Sequence, residues 1–210
     1  LARKIGFKTI SFYTNGTFPI ESSADVIFVS LDGLKETNNY LRGNIFDKVL
    51  QNIKNSSHKN ININFTINKI NCEQLKPFCE YIETIKNIKG VFFYFHTPYY
   101  GIDELFLNLE GRRKIIKQIL QLKRNGAKIL NSSACLKMVY RDNWKRPSKL
   151  CYVYDKNKLF ECCRAIGSDQ TCRECGYLGY PEIISILKLR PSSIIAAMNY
   201  LPSNTPKAIR

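Results

Sequence analysis

The chain has 210 residues, 44% of them hydrophobic and 23% charged, which is the composition of an ordinary globular protein with ample material for a core. No apolar run reaches the length of a membrane span, no signal peptide opens the chain, and there is no internal repeat or low-complexity domain. The net charge of +15 comes from 32 Lys and Arg set against 17 Asp and Glu. These basic residues are spread along the chain, so a nucleic-acid partner is open but not favoured.

Residues 1–6 read as the last turn of a helix stopped by Gly6, so further sequence is expected upstream. Four strands are expected at 8–13, 26–31, 61–67 and 91–95. Asn44 is expected to cap a helix whose inner face is Ile45, Phe46, Val49, Leu50 and Ile53. Asn71 is expected to cap another, with Gln74 in the reciprocal position and Leu75, Phe78, Cys79, Ile82 and Ile85 inward. Strand–helix alternation of this kind argues for an α/β fold with a parallel sheet or barrel.

Those strands are polar on one face. In the third, Asn62, Asn64, Thr66 and Asn68 alternate with apolar residues. Ser30 and Asp32 share a face in the second, as do Ser11, Tyr13 and Asn15 in the first and Tyr94 and His96 in the last. Parallel strands buried on both sides are usually apolar throughout. Polar residues toward the C-terminal strand ends fit a barrel with an open ligand cavity there.

Beyond Gly101, residues 111–125 read as a helix with Ile115, Ile116, Ile119, Leu120 and Leu122 inward and its basic residues outward. Residues 127–130 could add a short strand, and 136–140 a further helix. The stretch 151–175 holds five of the eight cysteines: Cys151, Cys162, Cys163, Cys172 and Cys175. Residues 152–154 and 159–160 flank the polar turn 155–158, a hairpin pattern that brings Cys151 toward Cys162 and Cys163. Cys172-x-x-Cys175 follows, so four thiolates can meet at one point, as an iron–sulfur cluster or a structural zinc requires. With no export signal, thiolates in a reducing cytoplasm are expected instead of disulfides. Pro181 is expected to begin a helix, Ser192 to cap another after Pro191, and the end from Pro202 is polar.

Thr14-Asn15-Gly16, the run 25–33 ending in Ser30, Asp32 and Gly33, and Arg42-Gly43 ahead of Phe46 resemble the radical S-adenosylmethionine superfamily. The resemblance implies a partial (β/α)6 TIM-like barrel of which residues 1–130 are the C-terminal portion, followed by a cysteine-rich module at 131–210. It implies S-adenosylmethionine as cofactor, reductively cleaved beside a [4Fe–4S] cluster to a 5′-deoxyadenosyl radical that abstracts hydrogen from an unidentified substrate. Position by position, Asn15, Ser30 and Asp32 would line the cofactor site and Arg42 would pair with its carboxylate. Asn68 or Asn71 would reach its ribose or adenine, while Tyr94 and His96 would face substrate. The hairpin and C-x-x-C resemble the SPASM or twitch extensions of that superfamily. That implies an auxiliary [4Fe–4S] on Cys151, Cys163, Cys172 and Cys175, with Cys162 and Cys135 as alternates. A ferredoxin or flavodoxin is the kind of electron donor implied. The superfamily's C-x-x-x-C-x-x-C loop and glycine-rich second-strand motif are absent, so this chain alone is not expected to perform the radical chemistry. A zinc-ribbon-bearing basic protein that binds nucleic acid is the alternative reading.

Overall fold

The structure is a computed structural model and describes residues 1–163 and 168–200. Four strands, β1 (Ser11–Thr14), β2 (Val26–Ser30), β3 (Ile61–Ile67) and β4 (Ile88–Phe95), form a parallel sheet in the order β1-β2-β3-β4. Helices α1 (Lys35–Arg42) and α2 (Phe46–Asn55) connect β2 to β3, and α3 (Leu75–Glu83) connects β3 to β4. Then follow α4 (Leu109–Arg124), α5 (Ser133–Arg141), the hairpin β5 (Tyr152–Asp155) and β6 (Lys158–Glu161), α6 (Asp169–Arg173), α7 (Gly179–Leu187) and α8 (Pro191–Ala197). The class is mixed α/β with parallel pairing throughout the main sheet.

Strand alternation divides the sheet into two faces. On one, Ile27, Val29, Ile63, Phe65, Val91 and Phe93 are fully buried. Phe65 meets Phe78 of α3 edge-on at 4.8 Å and Phe93 at 5.5 Å. Each such side chain contributes about 1.5–3 kcal/mol of transfer free energy. The expected inward positions of α2 and α3, including Cys79, are in this core, except that Ile45 is partly buried and packs against it. The core continues past residue 130, because Cys135, Leu136 and Val139 of α5 belong to the same cluster. A smaller cluster gathers Met138, Trp144, Cys162 and Tyr180, with Cys151 and Cys175 packed against it.

The expected strand at 127–130 is a single parallel bridge from Ile129 to Val91. Gly90 allows that approach, since a Cβ there would stand 2.6 Å from the Lys128 carbonyl oxygen. Asn131 continues the pairing with its side chain, accepting from Phe93 N at 2.8 Å and donating to Phe93 O at 3.0 Å. At the hairpin turn, Lys156 and Asn157 have φ of 47° and 61°, the left-handed pair a two-residue turn between right-twisted strands requires.

Several local expectations are corrected. Asn44 does not cap α2; Asn39 Oδ1 accepts from Phe46 N at 3.0 Å. Asn71 makes no cap bond either, and Gln74 turns to α1, accepting from Leu34 N and donating to Thr37 Oγ1. Pro191 is itself the first residue of α8, and Ser192 instead accepts from Ala134 N. Helix α4 is capped by Asn108 and does not keep all its basic residues outward: Arg112 is buried. The polar end from Pro202 lies outside the described residues.

Candidate functional site

Where the strands end, their polar face opens into a cavity of about 420 Å³. Asn64, Thr66, Tyr94 and His96 line it from β3 and β4, and Tyr13 from β1, so the expected face of alternating polar residues is assembled. Thr97, Tyr99 and Tyr177 complete the polar wall. Tyr94 stacks on Tyr177 with centroids 4.9 Å apart, and Tyr177 meets Tyr180 at 4.8 Å. Burial pushes the Tyr94 hydroxyl well above its ordinary range, reinforced by Tyr177 and Tyr13, and burial pushes Tyr177 up to about 12. At neutral pH these phenols are uncharged. Asn64 Oδ1 is buried with no hydrogen-bond partner among the described residues, an acceptor that a ligand could satisfy.

His96, the residue after β4, directs Nε2 to Asp103 Oδ2 at 2.8 Å. Asp103 Oδ1 accepts from Leu105 N at 3.0 Å. Burial pushes the Asp103 carboxyl up, but the His96 contact and the Leu105 and Phe106 amides outweigh it and hold the group below its ordinary value.

The residues expected to hold S-adenosylmethionine fall into two groups. Asp32 is buried, accepting from Arg42 Nε at 2.6 Å and Thr66 N at 2.6 Å. Arg42 thus spends Nε on Asp32 and keeps its two Nη groups, a fork suited to a second carboxylate. Ser30 is half-buried at the end of β2. Asn15 is exposed, closing a local turn by accepting from Thr17 N at 3.1 Å and Thr17 Oγ1 at 2.8 Å. Asn68 and Asn71 are spent within the fold. Asn71 Nδ2 donates to Asp32 O and Thr66 O, its Oδ1 accepts from Asn68 N, and Asn68 Oδ1 accepts from Ile70 N and Asn71 N. They fix the strand ends that carry Asp32.

A second, narrow pocket of about 20 Å³ adjoins the cavity. Cys162, Cys172 and Cys175 line it with Trp144, Arg146 and Tyr180. Cys162 has a φ of 82°, donates its backbone N–H to Cys151 O at 2.7 Å, and accepts the Tyr180 hydroxyl at its carbonyl. A non-glycine residue held at that φ is a strained conformation of the kind that collects at functional sites. Cys163 is half-buried and acts electrostatically on Cys175 without lining the pocket. Cys135 lies apart in the core, with Sγ 3.6 Å from Leu178 O.

The thiols differ in acidity. Burial raises Cys162, but hydrogen bonds from Tyr180, Ser148 and the Ser148 and Lys149 amides outweigh it and hold the thiol below its ordinary value. Burial pushes Cys175 up to about 11. Trp144 Nε1 and Arg146 Nε are buried donors with no partner among the described residues, and they suit an anionic, sulfur-rich occupant. Among the described residues, no three His, Cys, Asp or Glu side chains stand close enough as folded to hold one metal ion.

Arg112, unforeseen in the sequence, ties the two pockets together. Its guanidinium donates to the carbonyls of His96, Glu174 and Cys175 and lies over the Phe95 and Phe106 rings at 5.5 and 5.2 Å. Gly176 then pairs with the strand end, accepting from Phe95 N at 2.9 Å and donating to Thr97 Oγ1 at 2.8 Å. Thr97 lines both pockets.

No protein-family model matches the chain, and no solved structure matches it. One curated protein does resemble it. Over 139 residues the chain is 32% identical to Fe-coproporphyrin III synthase of Methanosarcina barkeri (strain Fusaro). The match covers 59% of this chain and 34% of that protein, so the chain spans about a third of the length of its relative. No helix among the described residues is long and apolar enough to cross a membrane.

Proposed function

We propose that this chain is the later part of a radical S-adenosylmethionine barrel joined to an auxiliary-cluster module. The observation that carries the reading is the shared wall of Thr97, Cys175, Gly176 and Tyr177, which sets a polar strand-end cavity beside a thiol pocket. Similarity to Fe-coproporphyrin III synthase, a radical S-adenosylmethionine enzyme, supports it. The short parallel sheet is then the later arc of a partial barrel. Substrate, electron donor and reaction belong to the longer protein, and a cytoplasmic setting follows from the thiol chemistry.

When bound beside a catalytic cluster, S-adenosylmethionine supplies a 5′-deoxyadenosyl radical that removes a hydrogen atom from substrate. In this chain Arg42 takes the cofactor carboxylate through its Nη groups, and Asp32 holds the guanidinium in place. Asn15 and Ser30 border the same strand ends, and Asn68 and Asn71 keep them rigid. Tyr94 and His96 face substrate across the cavity.

For the auxiliary cluster the donor chemistry fits: several thiols, one held below its ordinary value, with two unpartnered N–H donors in the wall. The spacing closes only if the β5–β6 hairpin, whose two strands pack chiefly on each other among the described elements, moves toward the C-x-x-C loop on loading. The pocket favours Cys162 over Cys163 as the fourth ligand beside Cys151, Cys172 and Cys175. Anaerobic reconstitution with iron and sulfide tests this through bound iron per chain. Cys162→Ala and Cys172→Ala should each lose most of the parent's iron, and Cys163→Ala should retain most of it. Full retention by Cys172→Ala would remove the site from this pocket.

A further inference from the structure

We infer that His96 and Asp103 form a proton-transfer dyad serving the strand-end cavity, with His96 as acceptor and Asp103 as the group that orients it. The inference goes beyond the radical reading and needs no cluster. Its ligand class is a planar aromatic group bearing an acidic O–H or N–H.

The geometry fixes the tautomer. Asp103 Oδ2 stands 2.8 Å from His96 Nε2, and an ionised carboxylate only accepts, so Nε2 carries the hydrogen. Nδ1 of the neutral ring is left with its lone pair. The imidazole is held at its base by the backbone, since His96 N donates to Ile67 O at 2.8 Å and His96 O accepts from Arg112 at 3.1 Å. Asp103 is held in turn by Leu105 N. A base oriented by a third group is the arrangement that general-base chemistry uses.

Among the described residues lining the cavity, His96 is the one side chain with a basic ring nitrogen. The titratable groups facing it are Tyr13 from β1, Tyr94 from β4, Tyr99 and Asp103 from the loop after β4, and Tyr177 after the C-x-x-C. Arg112 from α4 engages only its carbonyl. Burial keeps Tyr13, Tyr94 and Tyr177 protonated. Among the described residues no Asp, Glu, Lys or Arg lines the cavity, so its walls suit a neutral ligand. Four tyrosines and Phe95 offer ring faces for stacking, and the unpartnered Asn64 Oδ1 offers a second acceptor for an N–H or O–H.

In the proposed step the ligand's O–H or N–H bond breaks and the proton goes to His96 Nδ1. The bonding pair stays on the ligand as its conjugate base. The imidazolium that forms stands against the Asp103 carboxylate, whose side chain is 45% exposed, so water can take the proton back and restore the neutral ring.

The test uses the chain without any cluster, so that its failure would leave the radical reading standing. The sequence has two histidines, His58 and His96, and long-range 1H–15N spectra resolve each ring nitrogen. The parent should show His96 as the Nε2–H tautomer, and Asp103→Ala should lose that preference. The acid probe is 4-nitrophenol, read by its phenolate absorbance below the dye's own midpoint. Adding the parent should raise the phenolate severalfold, Asp103→Ala should give a smaller rise and His96→Gln none. An Nδ1–H tautomer in the parent, no rise in phenolate, or an equal rise with His96→Gln overturns the proposal. Circular dichroism of each variant confirms that it is folded.

Discussion

The backbone of Asp32, just beyond β2, is fixed by two side chains: Asn38 Oδ1 accepts from Asp32 N at 2.9 Å, and Asn71 Nδ2 donates to Asp32 O at 3.0 Å. Asn71 is fully buried and makes three hydrogen bonds that join the ends of β2 and β3, the Asp32 and Thr66 carbonyls among their partners. Asn71→Ala strands buried backbone groups and should cost about 3 kcal/mol, measured by urea unfolding. A cost under about 1 kcal/mol would mean water replaces the side chain without loss. Gly176 is the second sensitive position, because a Cβ there would stand 2.0 Å from Phe95 O and 2.6 Å from Phe95 C, both backbone atoms. Gly176→Ala should cost about 3 kcal/mol and lower iron uptake, by pushing the C-x-x-C loop off the strand end. The sequence singled out Asn68 and Asn71 by their place after a strand. It could not show that Asn71 Nδ2 is spent on the Asp32 carbonyl, 39 residues away in the chain, while Asn68 Oδ1 is spent close by on Ile70 N and Asn71 N.

The docking of α7 and α8 on α5 turns on one buried carboxyl. Glu182 Oε1 accepts from Ser132 N at 2.6 Å, at the start of α5, while Ser132 Oγ lies 2.8 Å from Ser193 Oγ of α8. Burial pushes Glu182 above its ordinary value of 4.5, more strongly than Ser132, Cys135 and Lys123 pull it down. The folded chain therefore holds that proton more tightly than the unfolded chain. The stability this provides is complete below the unfolded value and is lost as pH rises through the folded one. Glu182→Gln keeps an acceptor for Ser132 N and removes the titration. As pH rises above the ordinary Glu182 value of 4.5 the parent should lose stability relative to this variant, in urea midpoints; parallel pH profiles would contradict the account.

Elements with a strong local pattern were legible: β3 by strict alternation, the hairpin by its polar turn, α2 and α3 by their apolar faces. Helix α1, KETNNYLR, was not, because its one buried residue is Asn38 and its start is held by Gln74 from the next crossover. Arg112 was hidden for a related reason. A basic residue in the first turn of an amphipathic helix is normally solvated, and only the fold delivers three carbonyls and two rings to it.

At the scale of the molecule, one sheet presents two chemistries. Its apolar face makes the core, and its polar face makes a cavity whose rim carries the C-x-x-C loop. Among the described residues the basic excess is not gathered at either pocket: Arg146 is the one Lys or Arg that lines them. The cavity was readable from the spacing of Asn64, Thr66, Tyr94 and His96. Its closeness to the thiols was not, since it depends on Gly176 pairing with Phe95 far away in sequence.

The central claim is that the thiol pocket holds an iron–sulfur cluster, and electron paramagnetic resonance of the reconstituted, dithionite-reduced chain tests it most directly. A reduced [4Fe–4S] signal with about four irons per chain, both lost in Cys172→Ala, is the predicted result. A silent spectrum with one zinc bound per chain would contradict the account and make the pocket a structural zinc site.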